Sequence, residues 1–212
     1  MSLYEKFKYA KSNKEAIFLK QYFNIDVSWD RILKFLYDQS LKDNLKLIEK
    51  DRNLENGVDV FGNVLLQRPL WMAPQTGLVW QQNQFPEIKE FLKKLNLDFG
   101  NDKDFENCNS YKHWDSRSCD CDSLWHSEGI KISLSNKVVG VHSDPWDACY
   151  FQIKGNSYWK ITGNDSIEYK LEEGDVLFFP KETGHEVWSD GPRMGLLLYL
   201  SSQKDIAYSY SL

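Results

Sequence analysis

The chain has 212 residues, of which 42% are hydrophobic and 15% aromatic, and 26 Lys and Arg against 31 Asp and Glu give it a formal net charge of −5. This length and apolar content are typical of a globular protein with a real core and exclude wholesale disorder. The acidic balance argues against a surface built to neutralise a nucleic-acid backbone, so we expect no nucleic-acid partner.

The N-terminus contains no recognisable targeting segment. Lysines are scattered through MSLYEKFKYAKSNKEAIFLK, which therefore offers neither the apolar core of a secretory signal nor a membrane span. Four cysteines without such a signal favour reduced thiols over a disulfide framework. We expect one domain over residues 1–212, in the cytoplasm and away from membranes.

Residues 1–100 are predicted to be mostly helical, and two amphipathic helices stand out. Over residues 28–39, Ile32, Phe35 and Leu36 share one helical face behind Ser28, a suitable N-cap. Over residues 85–96, Pro86 suits the first helical position. Apolar residues then fall at i, i+3, i+4 and i+7, namely Ile88, Phe91, Leu92 and Leu95. Both helices need a surface to pack against.

Residues 101–126 form the most polar segment and are predicted to be a long loop. The segment is rich in thiols and imidazoles: Cys108, His113, Cys119, Cys121 and His126. Such groups are zinc ligands, yet their spacing matches none of the usual zinc-finger patterns. A loop with free thiols is therefore the favoured interpretation, and a zinc site stays open as the alternative.

From about residue 129 the hydrophobic pattern changes from a helical period to alternation. Eight short runs follow, separated by Asn, Gly, Asp, Pro and Ser, from IKISLS at residues 130–135 to RMGLLLYL at residues 193–200. A spacing of roughly ten residues is typical of a sandwich or barrel rather than of βαβ units. We expect a β core over residues 127–202, with the N-terminal helices covering one outer face.

One histidine and one aspartate in this region point to a metal. His142 and Asp144 stand two apart in an extended run, so their side chains are predicted to project to the same side. A third ligand can come from His185, which follows a strand ended by proline and the turn KETG. Two imidazoles and one carboxylate leave three positions open on an octahedral ion, as in non-haem iron(II) oxygenases.

The two stretches that carry these residues, HSDPWDACYFQIKGNSYWKI and GDVLFFPKETGHEV, resemble the JmjC and cupin-like family of 2-oxoglutarate-dependent oxygenases. The match covers about residues 125–201. Fainter similarity upstream, in GLVWQQNQFPEIKEFL, is to the segment that precedes the core in asparaginyl hydroxylases of this family. The resemblance implies a mainly β fold, a double-stranded β-helix or jelly roll with N-terminal helices packed on it.

The resemblance also implies cofactors and site residues. They are iron(II), 2-oxoglutarate and O2, with His142, Asp144 and His185 as catalytic metal ligands. Tyr150 and Gln81 are expected to line the co-substrate pocket. Trp146, two residues after the Asp of the His-x-Asp motif, is expected to contact the substrate.

One departure concerns the anchor for 2-oxoglutarate. Family members usually carry Lys or Arg where this chain has Ser157, and a serine cannot neutralise a carboxylate. Arg193, at the start of the last strand, is our candidate for that cation, with Lys154 and Lys160 as weaker ones because of their strand parity. Arg193 facing solvent after a Gly-Pro turn is the alternative.

We therefore expect an oxygenase that hydroxylates or demethylates a C–H bond of an amino acid, a peptide side chain or a small metabolite. Asp147 and Glu186 are candidate partners that orient the imidazoles, and solvated strand residues are the alternative for both. The C-terminal dimerisation helices of several relatives have no counterpart, which favours a monomer or weak dimer. A metal-dependent cupin without 2-oxoglutarate, and a metal-binding module without turnover, are the alternatives.

Overall fold

The computed structural model describes residues 3–40, 45–49, 52–54, 71–74, 84–98, 125–134, 137–162 and 166–200. Within these ranges the helices are α1 (Leu3–Asn13), α2 (Trp29–Ser40) and α3 (Pro86–Asp98). The first strands are β1 (Ile17–Leu19), β2 (Leu45–Glu49), β3 (Arg52–Leu54) and β4 (Trp71–Pro74). The later strands are β5 (Trp125–Ser133), β6 (Lys137–His142), β7 (Asp147–Gly155), β8 (Ser157–Ile161), β9 (Ile167–Leu171), β10 (Val176–Phe179), β11 (His185–Ser189) and β12 (Arg193–Leu200).

The strands form two antiparallel sheets. The large sheet has the order β1-β10-β7-β12-β5-β4-β2-β3, and the small sheet has the order β6-β11-β8-β9. From β5 onward, β5, β7, β10 and β12 lie in the large sheet, whereas β6, β8, β9 and β11 lie in the small one. A chain that passes repeatedly between two sheets in this way is a jelly roll.

The predicted β core is confirmed, since each of the eight alternating runs contains one of the strands β5 to β12. Its start needs a correction. Residues 101–126 were expected to be loop to their end, but β5 already begins at Trp125. The strand pairs with β12 as far as Leu200, with a register shift between Leu197 and Leu198.

Among the described residues of the first hundred there are four strands, where the sequence predicts mostly helix. The strand β1 pairs with β10, and β4 pairs with β5 and leads on to β2 and β3. These strands are three to five residues long. Runs of that length are too short to show a period, and their partners are far along the chain.

Both predicted helices are present. The backbone N–H groups of Ile32 and Arg31 donate to the carbonyl oxygen and the hydroxyl of Ser28, at 3.2 and 3.4 Å, so Ser28 caps α2. Helix α3 begins at Pro86 as expected. No helix within the described residues is long and apolar enough to span a membrane.

The helices cover the outer face of the large sheet. One apolar cluster joins the three helices to that face, and its sheet members are buried aliphatic, aromatic and sulfur-containing side chains. They include Ile130, Ile132, Cys149, Phe151, Ile153, Val176, Phe178, Met194, Leu196 and Leu198. The expected packing of helices on one outer face is therefore confirmed.

A second apolar cluster fills the space between the two sheets. It contains residues of both, namely Ala148, Tyr150, Trp159, Ile161, Leu171, Leu177, Phe179, Val187 and Tyr199. On β7 and β12, side chains alternate between this inner cluster and the outer one. The functional side chains considered below lie on or at the rim of the inner space.

Candidate metal centre

His142, Asp144 and His185 meet at one end of the small sheet. One ligand atom from each lies within 4.8 Å of the other two, so the three side chains could hold a metal ion. His142 ends β6, His185 opens β11, and the two residues are direct partners in the register of these strands. The juxtaposition of the two imidazoles therefore follows from strand pairing.

Asp144 lies in a loop and not in the extended strand that the sequence predicts for it. An extended run was predicted to carry both His142 and Asp144, but β6 ends at His142 and Asp144 lies in the loop that follows. Its Oδ2 atom is 3.6 Å from Nε2 of His185. The loop, rather than strand alternation, places this carboxylate beside the imidazoles.

Backbone carbonyl groups orient both imidazoles. Nδ1 of His142 lies 2.8 Å from the carbonyl oxygen of Gly140, and Nδ1 of His185 lies 2.9 Å from that of Thr183. A carbonyl oxygen can only accept, so Nδ1 of each ring donates, and in the neutral tautomer that this selects the lone pair lies on Nε2. The neighbouring acids that the sequence offered for this task, Asp147 and Glu186, are not the partners of these nitrogens.

The environment of His185 favours its neutral form. Burial lowers the pKa of His185 below its ordinary value, the charge of His142 lowers it further, and the bond to Thr183 and the carboxylate of Asp144 oppose these effects. The rings of Phe179 and Trp159 pack against the imidazole, with centroids at 4.5 and 5.8 Å. A neutral imidazole is the form that binds metals.

The turn that leads into β11 is held against both neighbouring segments. The N–H of Glu182 donates to the carbonyl oxygen of Asp144 at 2.7 Å. The N–H of Thr162, at the end of β8, donates to the carbonyl oxygen of Gly184 at 2.7 Å. Glu182 has a φ of 61°, a left-handed conformation that a non-glycine residue adopts only where its surroundings enforce it.

Arg193 is fully buried at the start of β12. Its neighbour Met194 belongs to the outer cluster, so alternation directs Arg193 to the inner face, where its charge acts on Tyr150. Burial lowers the pKa of Arg193 to about 10, and Tyr150 opposes this shift. The alternative in which Arg193 faces solvent is wrong.

Tyr150 lies beside Arg193 over a glycine. A side chain at Gly195 would collide with the Tyr150 hydroxyl, so the ring fits only because position 195 has no Cβ. Burial raises the pKa of Tyr150, and Arg193 and the nearby Ser157 hydroxyl oppose the rise. The phenol is 1% exposed and stays protonated.

Ser157 has a structural role. Its hydroxyl donates to Oε1 of Gln152 at 2.6 Å and accepts the indole N–H of Trp159 at 3.0 Å. Gln152 in turn donates from Nε2 to the carbonyl oxygens of Lys154 and Gly155, at 2.8 and 3.1 Å. The position that carries a cation in most family members is thus part of a closed network between β7 and β8.

The two weaker candidates for the cation point away from the inner space. Nζ of Lys154 forms an ion pair with Glu173 at 3.0 Å, and Nζ of Lys160 lies 3.8 Å from Glu168. Lys131, by contrast, was missed by the sequence interpretation. It is 8% exposed on β5, opposite Gly195 in register, and its neighbours Ile130 and Ile132 face the helices. The alternation of IKIS was the available signal for an inward lysine.

Of the remaining predicted residues, the structure describes the side chain of Trp146 but not those of the others. Trp146 is partly buried, packs on the inner cluster, and has its ring 5.0 Å from that of Tyr199. Gln81 and the candidate zinc ligands Cys108, His113, Cys119 and Cys121 lie outside the described residues. His126 lies on β5, where only its backbone is described.

Comparison with known proteins gives matches among solved structures. No family model and no curated protein matches the chain. The Escherichia coli ribosomal oxygenase YcfD matches with a TM-score of 0.61 at 16% identity, over 99% of this chain and 54% of YcfD. YcfD in complex with cobalt and 2-oxoglutarate matches with a TM-score of 0.61 at 16% identity, over 98% of this chain and 54% of that one. YcfD in complex with cobalt and succinic acid matches with a TM-score of 0.62 at 16% identity, over 97% of this chain and 53% of that one.

This similarity concerns the fold. The chain spans about half the length of YcfD, and almost all of its own length is covered. The predicted resemblance to JmjC and cupin-like oxygenases is therefore confirmed at the level of the fold. The similarity by itself assigns no substrate, because proteins with one fold carry different sites.

Proposed function

We propose that this chain is an iron(II)- and 2-oxoglutarate-dependent oxygenase that hydroxylates or demethylates a C–H bond. One observation carries the proposal: ligand atoms of His142, Asp144 and His185 lie within 4.8 Å of one another in a fold shared with a 2-oxoglutarate-binding oxygenase. Two imidazoles and one carboxylate are the ligand set of non-haem iron(II) oxygenases.

The three ligands fit such an ion chemically. Each Nδ1–H is taken by a carbonyl group, which leaves Nε2 of His142 and His185 as the atom directed to a metal, and Asp144 offers a carboxylate oxygen. When bound, iron(II) would supply the activation of O2, with 2-oxoglutarate as the reductant that leaves as succinate and CO2. The protein keeps the ligands oriented through its backbone.

Arg193 and Tyr150 are proposed to bind the distal carboxylate of 2-oxoglutarate. A buried guanidinium and a buried phenol beside each other offer charge-assisted hydrogen bonds to an anion. A carboxylate that enters this buried environment would bind the guanidinium more strongly than it would in water. Lys131, on the same inner face, adds positive charge near Gly195.

The aromatic side chains around the site are proposed to exclude water and to shape the entrance. Phe179 and Trp159 pack on the imidazole of His185 and make its surroundings apolar. Trp146, which follows Asp144 by two residues and packs against Tyr199, is proposed to contact the substrate. Gln81 stays a proposed residue of the co-substrate pocket.

The proposed substrate is an amino acid, a peptide side chain or a small metabolite, and a peptide side chain is the favoured member of this group. Support comes from YcfD, which is described as a ribosomal oxygenase. This chain matches only about half of YcfD, so contacts made by the rest of that protein do not carry over. We further propose that the chain acts as a monomer or weak dimer.

A second candidate is a metal-dependent cupin that does not use 2-oxoglutarate. Its support is Ser157, which stands where most family members carry a cation and is held by Gln152 and Trp159. The buried Arg193 favours the first candidate, because an inward guanidinium offers an anionic co-substrate a charged hydrogen-bonding group.

Succinate formation tests the proposal. The chain is purified without oxygen, then supplied with iron(II), 2-oxoglutarate and O2, and succinate is quantified by mass spectrometry, with Asp144→Ala as the matched control. We expect succinate from the wild type and at least about a 100-fold lower rate from the control, because the carboxylate ligand is lost. Metal binding without 2-oxoglutarate binding or succinate would favour the cupin alternative.

A further inference from the structure

Asp147 contacts both the N-terminal helix and the turn that carries a metal ligand. It opens β7, three residues after Asp144, and is 3% exposed. Its Oδ2 atom lies 2.7 Å from Nζ of Lys11 on α1. Its Oδ1 atom accepts the backbone N–H of Lys181 at 2.9 Å. One buried carboxylate therefore joins three segments that are distant in sequence.

A proline explains why the side chain is needed at this point. The ladder between β7 and β10 ends with Ala148 opposite Phe179, and the next residue on the β10 side is Pro180, which has no N–H. The following N–H, that of Lys181, donates to the Asp147 carboxylate instead of to the backbone. Asp147 thus continues the pairing of β7 and β10 into the turn.

That turn determines where His185 lies. The carbonyl oxygen of Thr183 accepts the Nδ1–H of His185 at 2.9 Å, and the N–H of Glu182 donates to the carbonyl oxygen of Asp144 at 2.7 Å. Glu182 holds a left-handed φ of 61° between these two bonds. A shift of the turn would therefore move one ligand relative to the other two.

We propose that Asp147 is a positioning residue for the metal centre, which fixes the 180–184 turn against the loop of Asp144. The inference rests on the proposed function, because it requires the three ligands to bind a metal. The ammonium group of Lys11 neutralises the buried carboxylate, and the Lys181 N–H is the contact that acts on the site.

Three variants separate the two contacts. Asp147→Ala removes both, Asp147→Asn keeps an oxygen that can accept the Lys181 N–H, and Lys11→Met removes only the ion pair. Cobalt(II) is the probe: its affinity is measured by calorimetry, its visible absorption spectrum reports the coordination geometry, and thermal melting reports stability. None of these measurements depends on turnover.

We expect Asp147→Ala to weaken cobalt(II) binding about 10-fold or more and to change the spectrum, as loss of an outer-sphere partner does in other metal sites. Asp147→Asn and Lys11→Met should stay within about threefold of the wild-type affinity, although both lower the melting temperature.

Wild-type affinity and spectrum in Asp147→Ala would overturn the inference. So would an equal loss of affinity in Lys11→Met, which would assign the effect to helix docking. A wild-type chain that binds no cobalt(II) would refute the proposed function itself, whereas cobalt(II) binding unaffected by Asp147→Ala would refute only the positioning role.

Discussion

The two faces of the large sheet differ in chemistry although alternate residues of the same strands build both. Toward the helices, β7 and β12 present Cys149, Phe151, Ile153, Met194, Leu196 and Leu198. The inner face includes Tyr150, Gln152, Lys131 and Arg193, beside apolar residues. The outer face stabilises the fold through apolar burial, whereas the inner face keeps polar groups buried where a ligand can use them.

The largest effect is expected from the outer face. Phe151 is fully buried and has its ring edge-on to those of Phe23 and Phe91, with centroids at 5.8 and 5.1 Å. Phe151→Ala should lower the free energy of unfolding by about 3–5 kcal/mol, because the helices cannot close the cavity. Urea denaturation measures this loss of unfolding free energy.

The control for this variant is Tyr37→Ala, at a half-exposed aromatic residue of α2, with an expected loss below about 1 kcal/mol. Folded Phe151→Ala at low temperature should bind 2-oxoglutarate as the wild type does. A loss of stability no larger than in the control would contradict the assignment of the outer face to stability.

The inner face is tested by Arg193→Met. Methionine fills much of the same volume but removes the charge, so we expect at least about a 30-fold loss of 2-oxoglutarate affinity with cobalt(II) affinity retained. Calorimetry measures both. Lys154→Met is the matched control, since Lys154 pairs with Glu173 away from the inner space. Full 2-oxoglutarate binding by Arg193→Met would remove Arg193 as the anchor.

The difference between the faces also explains what the sequence could predict. Strands β5 to β12 alternate over several residues with turn residues between them, so their existence is local information. That His142 and His185 face one site was predicted from their places in two such strands, whereas their direct pairing is seen only in the structure. Strand β1, three residues long beside β10, carries no local signal.

Contacts between distant segments set the rest of the site. Asp144 was predicted as a ligand, but its position in a loop depends on the bond from Glu182. The burial of Arg193 was open in the sequence, because a residue after a Gly-Pro turn can face either way. The pairing of Asp147 with Lys11 depends on how α1 docks, which no spacing records.

The smallest loss of stability or affinity is expected from a substitution of Ser157. This residue is a polar group of the inner face that we assign to the structure and not to ligand binding. Ser157→Ala removes the acceptor of the Trp159 indole and the donor to Gln152, both buried, and should cost about 1–2 kcal/mol of stability. Affinity for 2-oxoglutarate should stay within about threefold, because Arg193 supplies the charge. Ser166→Ala, at an exposed serine ahead of β9, is the control and should change neither quantity. If Ser157→Ala instead lost as much affinity as Arg193→Met, the serine would belong to the anchor, and the division of this face into a structural network and a ligand-binding pair would be wrong.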